Sequence, residues 1–113
     1  MESYETPARA MLVIPHPDDG ESGCGGTVSK WVLEGCQVLY VVCTNGDKGT
    51  SDPNMTSERL AKIREEEQTR AAAVLGVQEL IFLRYGDGEL EDTPHFRGQL
   101  VHEIRRFKPD VVL

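Results

Sequence analysis

The sequence predicts an open α/β fold, a parallel sheet with helices on both faces, and three observations carry that expectation. Short β-branched apolar runs alternate with longer stretches of helical period. Cap residues and helix-stop glycines fall between them. The connections are short, which favours parallel pairing through right-handed crossovers. The order is strand, helix, strand, helix, strand, helix, strand, so three to four strands are present. With 113 residues there is room for one core and no second domain.

Residues 1–9 are a polar leader. Residues 10–14, Ala-Met-Leu-Val-Ile, form a continuous apolar run that stops at Pro15 and reads as a strand buried on both faces. From about Glu21 to Glu34, Val28, Trp31, Val32 and Leu33 recur at near-helical spacing, with Gly35 at the stop. Residues 37–43 give the second strand. Residues 44–55, TNGDKGTSDPNM, have loop composition, and long loops in compact domains tend to be functional.

The next helix opens at Thr56 or Ser57 and ends at Gly76. Its expected buried stripe is Leu60, Ile63, Ala71 and Val74, with Glu67 inside the stripe and therefore in need of a partner. Residues 79–83 form the third strand and 86–91 an Asp- and Gly-rich turn. Thr93 as cap and Pro94 as first helical residue open the last helix, with Phe96, Leu100, Ile104 and Phe107 inward. Pro109 ends it, and Val111, Val112 and Leu113 open a fourth strand. A chain that stops inside a buried strand is expected to be an interrupted, incomplete sheet.

Nineteen acidic against twelve basic side chains give a net charge of −7, a field that repels a nucleic-acid backbone. The N-terminus has no basic segment leading into an apolar stretch of about 7–15 residues, so it does not read as a secretory signal. No apolar run approaches the roughly 20 residues that span a bilayer. Cys24, Cys36 and Cys43 fit neither a zinc ribbon nor a CxxC pair and read as reduced, packed thiols of a cytoplasmic protein.

The chemistry concentrates after the first strand. PHPDDGESGCGG places one imidazole and three carboxylates between His16 and Glu21. In open parallel sheets, ligands bind beyond the carboxyl ends of the strands. A divalent cation would relieve the clustered negative charge, and Zn²⁺ accepts imidazole nitrogen and carboxylate oxygen together. Pro17 stiffens the turn so that His16 and Asp19 can converge on one point while Asp18 leans elsewhere, free to act as a base. A cation of this kind lowers the pKa of the water it holds, which makes amide hydrolysis the natural reaction. The bland alternative is a solvated acidic turn with His16 as an ion-pair partner.

His16-Pro17-Asp18-Asp19, followed by Glu21 and by Gly23-Cys24-Gly25-Gly26-Thr27, resembles the opening motif of the LmbE-like, PIG-L type deacetylases. The likeness continues in TNGDKG at 44–49, in Arg64 and Glu67 ahead of Ala71, Ala72, Leu75 and Gly76, in GDGEL at 86–90 and in KPDVV at 108–112. It covers residues 11–113. The resemblance implies a Rossmann-like zinc enzyme that removes the N-acetyl group from an N-acetylglucosamine-type sugar or glycoconjugate. His16 and Asp19 would bind Zn²⁺, Asp18 would be the general base, and Arg64 would bind substrate. Arg64 has an equally good structural reading as an i,i+3 partner of Glu67, one residue past the expected stripe on a helix taken to run toward the site.

Family members carry a third zinc ligand in a later His-x-Asp-His motif, so the third protein ligand is expected beyond residue 113. Residues 1–113 alone would then be the inactive, association-prone N-terminal portion of one deacetylase domain. His95 and His102 read as solvated surface residues. Partners expected are a small acetylated amino sugar, no nucleic acid and no membrane, with homo-oligomerisation compatible.

Two other classes compete. A receiver-like signalling domain would use its acidic pair for Mg²⁺, but leaves His16 unexplained. A dinucleotide-binding module would use the glycines at 20, 23, 25 and 26, yet these do not form GxGxxG, and Asp18 with Asp19 would repel a pyrophosphate.

Overall fold

The computed structural model describes residues 6–15, 19–44, 52–86 and 90–113, with backbone alone for 19–24. The elements are β1 (Arg9–Ile14), α1 (Asp19–Leu33), β2 (Gln37–Thr44), α2 (Ser57–Leu75), β3 (Glu79–Tyr85), α3 (Pro94–Phe107) and β4 (Val111–Val112). The strands form one sheet in the order β3-β2-β1-β4. Every pairing is parallel, with Met11 opposite both Leu39 and Val112. The α/β class and the strand count are as the sequence predicts.

Period-two alternation sorts the strands onto two cores. Ala10, Leu12, Ile14, Val38, Tyr40 and Val42 face α1 and the end of α2, where Val28, Trp31, Val32 and Leu75 meet them. Met11, Leu39 and Val41 face the opposite way, against Phe107 and Leu100 of α3. Helices therefore cover both faces, and β1 over 10–14 and β2 over 38–43 are apolar because these stretches have no solvent side.

The helix boundaries follow their caps. Thr56 Oγ1 accepts from the Arg59 N–H, and Gly76, at φ 81°, closes α2 in the left-handed conformation. Thr93 caps α3 in the same way, with Pro94 in its first turn. α1 begins at Asp19, two residues earlier than its apolar period suggests.

Three stripe assignments need correction. On α2 the buried residues are Leu60, Gln68 and Ala72, whereas Val74 is 87% exposed. The helix turns the row of i+4 neighbours 60, 64, 68 and 72 toward the sheet. The close approach of α2 to α1 falls just past the helix end, at Gly76 against Val32. Glu67 consequently lies outside the stripe and is exposed; it does find a partner, Arg64.

On α3, Glu103 takes the inward position expected of Ile104, which is 38% exposed. Arg106 Nε donates to Glu103 at 2.7 Å and Arg106 Nη2 to Glu79 at 3.0 Å, and this pairing lets a carboxylate be buried between Leu100 and Phe107. Leu33, grouped with the apolar period of α1, is 86% exposed in the last residue of that helix.

Candidate active site at the carboxyl edge of the sheet

From β1 the chain steps outward to β2 and β3, then returns to the other flank of β1 as β4. The carboxyl end of β1 thus lies at the topological switch point, where open α/β sheets form their ligand crevice. This order also separates the rival classes. A receiver sheet runs 2-1-3-4-5, with β3 beside β1; here β1 lies between β2 and β4. The order is compatible with the first half of a dinucleotide-binding sheet, but the glycine fingerprint is absent and the helix opens on Asp19.

Residues 15–18 alone join β1 to α1. His16 and Asp18 lie outside the described residues, and of Asp19 the backbone is known: it is the first residue of α1. Free N–H groups and the positive end of the helix dipole favour carboxylates in that first turn. That preference explains Asp19 and Glu21 without a metal, and does not explain His16.

The loop is anchored at its start. The Pro15 carbonyl accepts two hydrogen bonds from Thr44, at 2.9 Å from the backbone N–H and at 2.7 Å from Oγ1. Thr44 ends β2 and is buried. Opposite it on β3 stands Tyr85, after a register shift between Val42 and Thr44. The shift is a bulge in which Arg84 adopts φ 63°. Arg84 Nε bonds Glu65 of α2 at 2.8 Å. Tyr85 in turn donates its hydroxyl to Gln99 Oε1 at 2.5 Å and meets the Phe96 ring edge-on at 5.7 Å.

Sequence reasoning did not anticipate the Thr44 contact, the bulge or Tyr85. The apolar run stops at Leu83, and the ties from Arg84 to Glu65 and from Thr44 to Pro15 span 19 and 29 residues, beyond any local period.

Arg64 sits in the second turn of α2 with its side chain about one-third exposed, and its Nη1 pairs with Glu67 at 3.3 Å. Because α2 follows β2 and precedes the parallel β3, it starts at the carboxyl edge and runs away from it, opposite to the direction expected. Arg64 is nonetheless near the helix start, on the same row as buried Leu60 and Gln68.

His95 and His102 are exposed, as expected, on the wall of an open groove between α3 and Leu83 that also includes Gln99 and Glu103. Burial raises the Cys36 thiol and pushes Cys43 up to about 11, so neither supplies a thiolate nucleophile at neutral pH.

Among the described residues no group of three His, Cys, Asp or Glu could hold a metal ion. The donors that suit one are His16, in the β1–α1 connection, and Asp19, at the start of α1, an imidazole with a carboxylate. Their chemistry fits Zn²⁺, and they follow the anchored Pro15 directly in the chain.

An open parallel sheet whose first strand ends at the switch point defines a class of ligand-binding α/β domains, and sequence likeness narrows it. Residues 11–113 match the PIG-L family, described as GlcNAc-PI de-N-acetylase, and the chain belongs to that family. It is 38% identical over 112 residues to the diacetylchitobiose deacetylase of Thermococcus kodakarensis, covering 99% of this chain and 42% of that protein. Among solved structures it resembles the N,N'-diacetylchitobiose deacetylase from Pyrococcus horikoshii complexed with its inhibitor MPG. That likeness has a TM-score of 0.92 and 37% identity, over 94% of this chain and 40% of the other. The 4-carboxy-2-hydroxymuconate hydratase GalB from Pseudomonas putida KT2440 is also similar, with a TM-score of 0.85 and 26% identity, over 92% of this chain and 45% of the other. The chain thus spans less than half the length of these relatives. No described helix is long and apolar enough to cross a membrane.

Proposed function

We propose that residues 11–113 form the N-terminal portion of a zinc-dependent deacetylase domain acting on an N-acetylglucosamine-type sugar or glycoconjugate in the cytoplasm. One observation carries the reading: His16-Pro17-Asp18-Asp19 follows a strand that ends at the switch point of the sheet, in a chain that resembles a chitobiose deacetylase in backbone and in 37% of the aligned residues.

In this reading His16 and Asp19 hold Zn²⁺, and a third protein ligand comes from elsewhere in the full chain, since catalytic zinc sites use about three. The ion, when bound, supplies Lewis acidity and lowers the pKa of water. Asp18 takes the proton as water attacks the acetamide carbon, and returns it to the departing amine. Pro15 and Pro17 restrict the backbone around His16, which limits how far the donors can wander. Arg64 contributes to holding the sugar, with Glu67 keeping its guanidinium in place.

The test is acetate release by the full chain from N,N'-diacetylchitobiose, before and after zinc is stripped and restored. Acetate that appears only with zinc supports the reading; a zinc-loaded chain that releases none from any N-acetylglucosamine substrate contradicts it. The likeness to a hydratase favours a second reading, addition of water to an unsaturated acid. That reaction would bleach an ultraviolet-absorbing dienoate without releasing acetate.

A further inference from the structure

We propose that Thr44 is a positioning residue for the zinc-binding loop, acting through the Pro15 carbonyl; the inference rests on the zinc-site reading above. The backbone N–H of Thr44 continues the parallel ladder from β2 to β1, a bond any residue but proline could make there. The hydroxyl is different. At 2.7 Å it adds a second donor to the same oxygen, and it is buried where a valine would suit the strand better.

What the second bond accomplishes follows from peptide geometry. The Pro15 oxygen lies in the rigid plane of the peptide that follows residue 15, so two donors on that oxygen restrain the plane from which the donor loop continues. The proline ring fixes φ at residue 15, and Pro17 biases residue 16 toward extended backbone. Rotation of the peptide plane that follows Pro15 is not fixed by the ring, and that rotation is what Thr44 Oγ1 opposes. Its bond is spent on the start of the donor loop, not on the sheet, which is paired without it.

A structural and a positioning role separate cleanly in Thr44→Val. The N–H bond survives, so no buried acceptor is orphaned, and the side-chain shape is kept. In the full chain, Thr44→Val is expected to melt no lower than wild type. It should nevertheless hold zinc roughly 10–100-fold more weakly, the range typical when an outer partner of a metal site is lost. It should also show faster deuterium uptake in the peptide spanning residues 16–24, and a lower kcat at nearly unchanged KM. Thr44→Ser, which restores the hydroxyl, should recover zinc affinity.

Zinc affinity is read by competition with a chromophoric chelator, independently of turnover. Thr44→Val with wild-type zinc affinity and wild-type exchange overturns the proposal, as does failure of serine to recover what valine loses. A wild-type chain that binds zinc with this Thr44 dependence yet releases no acetate sinks the deacetylase reading and leaves the positioning role standing.

Discussion

Gly76 and Val32 meet so closely that a Cβ on Gly76 would lie 2.6 Å from Val32 Cγ1. The same glycine ends α2 at φ 81° and donates its N–H to the Ala72 and Ala73 carbonyls. One position thus serves both the helix stop and the approach of α2 to α1. Gly76→Ala should cost about 1–2 kcal/mol for the left-handed backbone and a further ~1–3 kcal/mol for the contact, read from urea unfolding. Adding Val32→Ala should relieve the contact share and not the backbone share. A Gly76→Ala chain as stable as wild type would contradict this account of the α1–α2 junction.

The Glu79–Arg106–Glu103 network makes a second prediction, because Glu103 alone of the three is buried. Arg106→Ala should destabilise by roughly 1–3 kcal/mol by leaving that carboxylate without its partner. Glu79→Ala should cost less, since its pair is about two-fifths exposed on both sides and screened by water. Replacing Glu103 by leucine in the Arg106→Ala background should recover most of the loss, and chemical denaturation of the three variants decides it.

These two sites show where sequence reasoning reaches. Strand and helix order, caps at Thr56 and Thr93 and stops at Gly35 and Gly76 are legible because each depends on neighbours within a few residues. The inward choice of Glu103 over Ile104 depends on Arg106 reaching both Glu103 and Glu79, and the inward row of Leu60, Gln68 and Ala72 depends on how α2 lies on the sheet. Neither is a property of the helix itself. At the site, the clustered His16, Asp18 and Asp19 are visible as a motif, whereas the clasp from Thr44 and the Arg84 bulge exist only once strands are paired.

The buried Cys43 thiol ties stability to alkaline pH. Burial raises its pKa from 9.0 to about 11, so between those values the folded chain retains a proton that the unfolded chain has lost. The contribution of Cys43 is complete below pH 9 and should be lost as pH rises toward 11. In Cys43→Ala the decline should be shallower, measured as urea midpoint against pH. At pH 8 a disulfide reagent should label Cys43 only on unfolding; rapid native labelling would show an open core.

Arg64 offers a choice between substrate and structure. In the full chain, Arg64→Ala should lower kcat/KM for the acetylated sugar with a change in Tm no larger than loss of an exposed i,i+3 pair allows, roughly 0.5 kcal/mol or less. A large drop in Tm with unchanged kinetics would confine Arg64 to its contact with Glu67.

The division of labour among His16, Asp18 and Asp19 is the central claim, and zinc content measured beside acetate release in Asp18→Ala and Asp19→Ala tests it most directly. Asp18→Ala should keep one zinc per chain and lose about 10²–10⁴-fold in kcat, because a base acts in the transition state while ligands hold the ion. Asp19→Ala, like His16→Ala, should lose zinc and activity together. Loss of zinc from Asp18→Ala with full zinc in Asp19→Ala would contradict the assignment and exchange the two roles.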